Sequence, residues 1–263
     1  MKNLFKLVLV LVLVAGIVVF AGCGKKEEAP APAEEPAEEK VYIVGTEPTF
    51  PPFEMIDTDS GEIIGFDIDL INAIAEDQGF KVEIVNLGFD GLIPAVQTGN
   101  IDIIASGMTI KEERKEMVDF SEPYINAGLA LATSPENTDI TSVEDLGGKT
   151  VAVQIGTTGA EKANELLEAG MVGEVKTFNT TDLVMMELIN GGVDAVINDL
   201  PVTQAYITRQ PGKIVLVGEP LTSESYGFAV QKDNTELLEK INAGLANVIA
   251  SGKYAEIEVK FFE

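Results

Sequence analysis

Residues 92–107 read LIPAVQTGNIDIIASG, and residues 184–199, 92 positions later, read VMMELINGGVDAVIND. Each stretch holds an apolar helical segment (Leu92–Gln97; Val184–Ile189), a stopping glycine (Gly99; Gly191) and an aspartate three residues on (Asp102; Asp194). Each then enters a short strand (Ile103–Ala105; Ala195–Ile197) that ends in small or polar residues, Ser106-Gly107 or Asn198-Asp199. A helix stopped by glycine that turns at once into a strand is a joint of an α/β fold. Two copies of the same joint predict two similar lobes. Open α/β sheets bind ligands beyond the carboxyl ends of their strands, so these two strand ends predict facing walls of one cleft.

The flanking sequence fits that frame. From Val41 onward, short apolar runs alternate with helix-period segments. The pattern predicts strands at 41–46, 81–85, 101–104, 150–154, 175–178, 195–198, 214–217 and 227–230. A first helix carries the apolar stripe Ile68, Ile71, Ile74, Ala75, with Asp67 as its N-cap and Gly79 as its stop. A last long helix is expected from about Thr235 to Ser251, ending at Gly252.

Composition narrows the chemistry. The 263 residues carry 18 Lys+Arg against 43 Asp+Glu, a net charge of −25. Such a chain repels nucleic acid and anionic surfaces. It has no histidine, which excludes His-based triads and His–metal sites. Its one cysteine excludes an internal disulfide. Two arginines are present, Arg114 and Arg209. Arg114 follows the strand end at Ser106-Gly107 and can fork two hydrogen bonds onto a carboxylate, or pair with acids of its own helix. Gly156-Thr157-Thr158-Gly159 opens a helix, whose free N–H groups suit a small anion. Phe50-Pro51-Pro52-Phe53 and Phe89 lie at strand ends, where aromatic rings either plug a core or stack on a ligand stem. Gly147-Gly148-Lys149-Thr150 lacks the upstream glycine of a phosphate loop, and a strand rather than a helix follows it. Asp57–Glu62 has Glu62 where a calcium loop needs glycine, and reads as a hairpin turn.

The amino terminus reads as an export signal. Lys2 and Lys6 precede a 14-residue apolar run, Leu7–Phe20, short of the roughly 20 residues that span a bilayer. Phe20-Ala21-Gly22-Cys23 resembles the lipobox of bacterial lipoproteins, with Phe20 in place of the usual Leu. That resemblance implies removal of residues 1–22 and a lipid on Cys23. Residues 23–40, rich in Pro, Ala and charge, then form a disordered tether.

Several motifs in order resemble the bacterial family 3 solute-binding proteins of polar amino acid ABC importers. They are Thr49-Phe50-Pro51-Pro52-Phe53, Gly65-Phe66-Asp67-Ile68-Asp69-Leu70, Phe89-Asp90-Gly91-Leu92-Ile93-Pro94, and Met108-Thr109-Ile110 through Arg114. Asp119-Phe120-Ser121-Glu122-Pro123-Tyr124 and Gly191-Gly192-Val193-Asp194-Ala195 complete the set. The relatives nearest in pattern are arginine/lysine- and glutamine-binding proteins. The resemblance covers Val41 to Phe262 and implies a two-lobed, type II periplasmic-binding-protein-like α/β fold. Lobe 1 would take 41–127 plus 225–263 and lobe 2 would take 128–224, joined by two hinge strands near Asn126–Leu131 and Leu221–Tyr226.

The resemblance also implies roles. Arg114 and the N–H groups of Thr109 and Thr158 would hold a ligand α-carboxylate. Asp199, the Thr109 hydroxyl and the Gly107 carbonyl would hold the α-ammonium. Phe50 and Phe89 would sandwich the side chain, with Glu47 and Gln154 near its tip. Lys111 stands where the family usually has Thr, which implies a weaker helix cap. Phe89 stands where many relatives have Trp. The implied protein is an extracytoplasmic, lipid-anchored monomer that hands an amino acid to a permease, without cofactor, metal or nucleic acid. Two other functions fit the same scaffold: a dehydratase resembling those acting on prephenate or arogenate, and a ligand-binding partner of a detached receptor.

Overall fold

The computed structural model describes residues 40–263. The signal, Cys23 and the tether up to residue 39 lie outside the described residues. No described helix is long and apolar enough to cross a membrane.

Two five-stranded sheets share one topology. In lobe 1 the strands run Lys81–Asn86, Val41–Thr46, Ile103–Ile104, Ala229–Gln231, Val118–Phe120. In lobe 2 they run Glu174–Phe178, Thr150–Gln154, Ala195–Asp199, Leu129–Thr133, Val215–Val217. The first three strands of each sheet are parallel, and the fourth is antiparallel to its neighbours. This is the expected α/β class with two sheet-containing lobes. Leu129–Thr133 and Ala195–Asp199 are buried along their whole length, as central strands covered on both faces must be.

The sequence echo has a physical basis. Gly99 and Gly191 end their helices with φ of +72° and +73°, a region that favours glycine. Asp102 then accepts a 2.7 Å hydrogen bond from the N–H of Ile43, in the first strand of lobe 1. Asp194 accepts one of 2.8 Å from the N–H of Thr150, in the first strand of lobe 2. In each lobe the aspartate fixes the incoming strand beside the first one, so both strands end at the same level.

Two local features differ from the sequence expectation, and a third agrees with it. Asp67 is not the N-cap of the first helix, which spans Phe66–Gln78 behind Gly65. Its side chain is fully buried and accepts from the Gly107 N–H at 2.9 Å and the Tyr124 hydroxyl at 2.6 Å. Where hinge strands are expected near Asn126–Leu131 and Leu221–Tyr226, Ile125–Ala127 pairs antiparallel with Glu224–Tyr226, while Leu129–Leu131 belong to the sheet of lobe 2. The Asp57 turn is a hairpin, as expected: strands Glu54–Ile56 and Ile63–Ile64 pair antiparallel, and the Asp57 carboxylate accepts from the Asp59 and Ser60 N–H groups.

In lobe 1, Ile71 and Ile74 of the helix Phe66–Gln78 are buried with Ile241 and Leu245 of the helix Thr235–Ala250. In lobe 2, Val151, Val153 and Ile197 are buried with Ala163 and Leu166 of the helix Thr158–Glu168. Each buried Leu or Ile removes roughly 1.5–3 kcal/mol worth of apolar surface from water. The rigid lobes built this way carry polar strand ends toward each other.

Candidate functional site

The carboxyl ends of the parallel strands meet between the lobes. Lobe 1 supplies Glu47, after the strand Val41–Thr46, and Ser106-Gly107, after Ile103–Ile104. Lobe 2 supplies Gln154 and Asp199, the last residues of their strands. A small cavity there is lined by Phe50, Phe89, Gly107, Thr109 and Arg114 from one side. Gln154, Thr157, Thr158 and Asp199 line the other. Its volume is about 10 Å³, roughly room for a single water, so a larger guest requires the lobes to part. A groove of about 870 Å³ on the outer face of lobe 1 is larger but open, with an exposed lining of Lys and Glu side chains. Convergent buried polar groups make the small cavity the candidate binding site.

Arg114 sits on the short helix Glu112–Lys115 and is 4% exposed. Its two terminal nitrogens donate to the carbonyl of Thr109 at 2.9 Å and, across the cleft, to that of Gly156 at 3.0 Å. The guanidinium lies 5.5 Å from the centroid of Phe89, which packs as a cation–π partner. Burial pulls the Arg114 pKa below its usual range, against the pull of Glu161, Asp199 and Glu224.

Asp199 is also 4% exposed. Its Oδ1 accepts a 2.5 Å hydrogen bond from the Tyr226 hydroxyl. Burial lifts its pKa to about 7, which the Tyr226 bond and Arg114 oppose. A buried cation on one wall and a buried acid on the other thus face one cavity, an arrangement matched to a zwitterion.

Gly107 holds φ at +50°, and a Cβ there would come within 2.6 Å of the Phe50 ring. Phe50 packs at the same time against Phe53 and Tyr226, with centroids 6.0 and 6.3 Å away. It is both core and cavity wall.

At the opposite end, Glu47 is buried and accepts from the Thr49 hydroxyl at 2.7 Å and from the Gln154 amide at 3.0 Å. Burial raises its pKa, against these two hydrogen bonds. Thr181 donates its hydroxyl to Gln154 at 2.8 Å and its N–H to Thr49 at 3.1 Å. The Tyr206 hydroxyl donates its proton to Asp182 at 2.5 Å, and its oxygen lies 3.1 Å from the Thr49 carbonyl oxygen. This wall is therefore a polar lattice crossing both lobes, and Glu47 belongs to it rather than to the cavity lining.

Sequence reasoning gave no role to Thr49, Thr181 or Tyr206; Thr157, named there only within the helix-opening Gly156–Gly159 motif, caps the helix Thr158–Glu168 by accepting from the Ala160 N–H at 3.1 Å. Sequence reasoning also missed Glu224, which accepts the hydroxyls of Thr109 and Thr158 at 2.8 and 2.9 Å. Lys111 makes no side-chain cap bond, in line with its departure from Thr. Its ammonium instead reaches Glu161 of the facing lobe at 2.5 and 2.7 Å.

The model of the bacterial extracellular solute-binding proteins, family 3, matches residues 42–263. A probable histidine-binding protein of Neisseria gonorrhoeae is 35% identical over 95% of this chain and 93% of its own length. An L-arginine-binding protein of Pseudomonas aeruginosa is 36% identical over 86% of this chain and 89% of its own. Among solved structures, an ancestral arginine-binding protein bound to arginine superposes with a TM-score of 0.82. It is 46% identical and covers 86% of this chain and 99% of that one.

Proposed function

The chain belongs to the bacterial extracellular solute-binding proteins of family 3, and we propose that it captures a cationic amino acid by closure of its lobes and delivers it to an ABC importer permease. The observation that carries this reading is the pair Arg114 and Asp199, opposite in charge, buried, and facing one small cavity. Arg114 takes the α-carboxylate together with the N–H groups of Thr109 and Thr158. Asp199, Thr109 Oγ1 and the Gly107 carbonyl take the α-ammonium. Phe50 and Phe89 flank the side chain. Closure removes water, so each charged hydrogen bond counts for more. The chain works by conformational change without covalent chemistry. A pair dedicated to an α-amino acid supports binding over a dehydratase role. The hinge lies between lobe 1, residues 41–127 plus 225–263, and lobe 2, residues 128–224.

Arginine or lysine is the first choice and glutamine the second. Parting of the lobes breaks the Glu47–Gln154 bond and frees the Glu47 carboxylate to accept charge-assisted hydrogen bonds from a cationic tip, while Gln154, in the cavity lining, offers a neutral contact. The same acid penalises glutamate and aspartate. In competitive binding, Glu47→Gln is expected to cost arginine and lysine roughly 1–3 kcal/mol, and glutamine less. Tight glutamate binding by the wild type, or equal losses for arginine and glutamine, contradicts this.

The mature chain acts as a monomer held at the outer face of the cell membrane by a lipid on Cys23. Cys23→Ser is expected to move the protein from the detergent phase to the aqueous phase. Equal recovery of both forms in the detergent phase rules out the anchor.

A further inference from the structure

One hinge carboxylate accepts hydroxyl hydrogen bonds from both lobes. Glu224 opens the hinge strand Glu224–Tyr226. Its Oε2 accepts from Thr109, beside the strand ends of lobe 1, at 2.8 Å, and from Thr158, at the helix start of lobe 2, at 2.9 Å. Its Oε1 accepts from Thr222 at 2.8 Å, and Thr222 Oγ1 in turn accepts from the Leu129 N–H at 2.9 Å. The carboxylate is thereby held on both oxygens. Two residues along the strand, Tyr226 donates to Asp199.

A hydroxyl has one proton and two lone pairs. With its proton committed to Glu224, Thr109 Oγ1 can only accept. Ionised Asp199 is acceptor-only as well, and the Gly107 carbonyl has no proton to give. The three groups then form a subsite with lone pairs alone.

We propose that Glu224 is a specificity-determining positioning residue: by holding the Thr109 proton it keeps the α-position subsite acceptor-only, so that the protein takes α-amino acids and rejects the corresponding 2-oxo acids. A 2-oxo acid keeps the carboxylate for Arg114 but offers a carbonyl oxygen where the site needs a donor. Unpaired acceptors facing each other in a dry site are the strongest form of such rejection. The inference rests on the amino-acid reading given above.

The test is competitive binding of L-arginine and its 2-oxo analogue to the mature chain and two variants. In Glu224→Ala the Thr109 hydroxyl is free to turn its proton toward a carbonyl oxygen. Arginine is expected to weaken about tenfold while the 2-oxo analogue holds or improves, so their ratio falls at least about tenfold. Glu224→Gln keeps an amide oxygen that can accept both hydroxyls, and its ratio should stay within about threefold of wild type. If the alanine variant does not fold, Glu224→Asp, one methylene short of the hydroxyls, carries the same expectation. Equal weakening of both ligands in the alanine variant, or a glutamine variant as unselective as it, overturns the role of Glu224 alone. Absence of arginine binding by the wild type overturns the ligand reading and this inference with it.

Discussion

Arg114→Ala should abolish high-affinity binding of every amino acid, whatever its side chain, because all share the α-carboxylate. Removing one member of a buried, hydrogen-bonded charge pair costs about 2–5 kcal/mol, or roughly 30-fold to several thousandfold in affinity. The geometry places Arg114 toward the upper end. It is 4% exposed, and its terminal nitrogens already span the cleft from Thr109 to Gly156. A ligand carboxylate would join a cation already held within its own lobe by the Thr109 carbonyl. Arg114→Lys should rescue poorly, because an ammonium lacks the planar fork and cannot span two acceptors that lie apart. Thermal unfolding of the empty variant separates binding from folding, since the Thr109 and Gly156 carbonyls also lose a donor. Calorimetric affinity within about threefold of wild type would reduce Arg114 to a strut between the lobes.

Asp199→Asn should cost about 1.5–3 kcal/mol, the range for a hydrogen bond to a charged group. It should also remove a pH dependence. Burial lifts the pKa of Asp199 to about 7, so in the empty protein it takes up a proton as pH falls through neutrality. The α-ammonium needs the ionised form. Wild-type affinity should therefore hold above about pH 7 and fall toward tenfold per unit below it. Asp67, also lifted by burial to about 7, titrates in the same window but touches Gly107 and Tyr124. The Asp199→Asn background separates the two, because only the Asp199 contribution should vanish there. The same raised pKa values act on stability with a definite sign. The folded, empty protein holds more protons than the unfolded chain between about pH 4 and 7, so these groups favour folding at the acid end of that window and less as pH rises through it. A flat wild-type affinity from about pH 8 to about pH 5.5, or an unchanged slope in Asp199→Asn, contradicts this account.

The α/β class and two-lobed plan were legible because they rest on repeated, strongly apolar segments. Val41–Thr46 and Thr150–Gln154 agree with their expected limits to the residue, as each is an apolar run with polar residues at its end. Val118–Phe120 escaped because a three-residue strand holds no periodicity. Asp67 misled because a short acid before an apolar stripe looks like a cap. Gly65 holds φ at +148°, and a Cβ on it would lie only 2.0 Å from the carbonyl oxygen of Phe53. That close approach lets the helix begin at Phe66, ahead of the expected start, and turns Asp67 inward.

At the site, Arg114 stood out as one of two arginines in an acidic chain, and Asp199 stood out at a strand end. Glu224 carried no such signal. It is one of 43 acidic residues, and its partners Thr109 and Thr158 lie 115 and 66 positions away. Only the fold brings them onto one carboxylate. The lattice of Thr49, Thr181 and Tyr206 was hidden for the same reason, since each is an ordinary polar residue until the lobes meet.

The central claim is that the cleft grips both charges of an amino acid between Arg114 and Asp199. Calorimetric titration of the mature chain with L-arginine and with agmatine, which keeps the guanidinium and lacks the α-carboxylate, tests it most directly. Saturable arginine binding, with agmatine at least about 30-fold weaker, is the predicted result. Equal affinity for the two, or no heat with arginine, would contradict it.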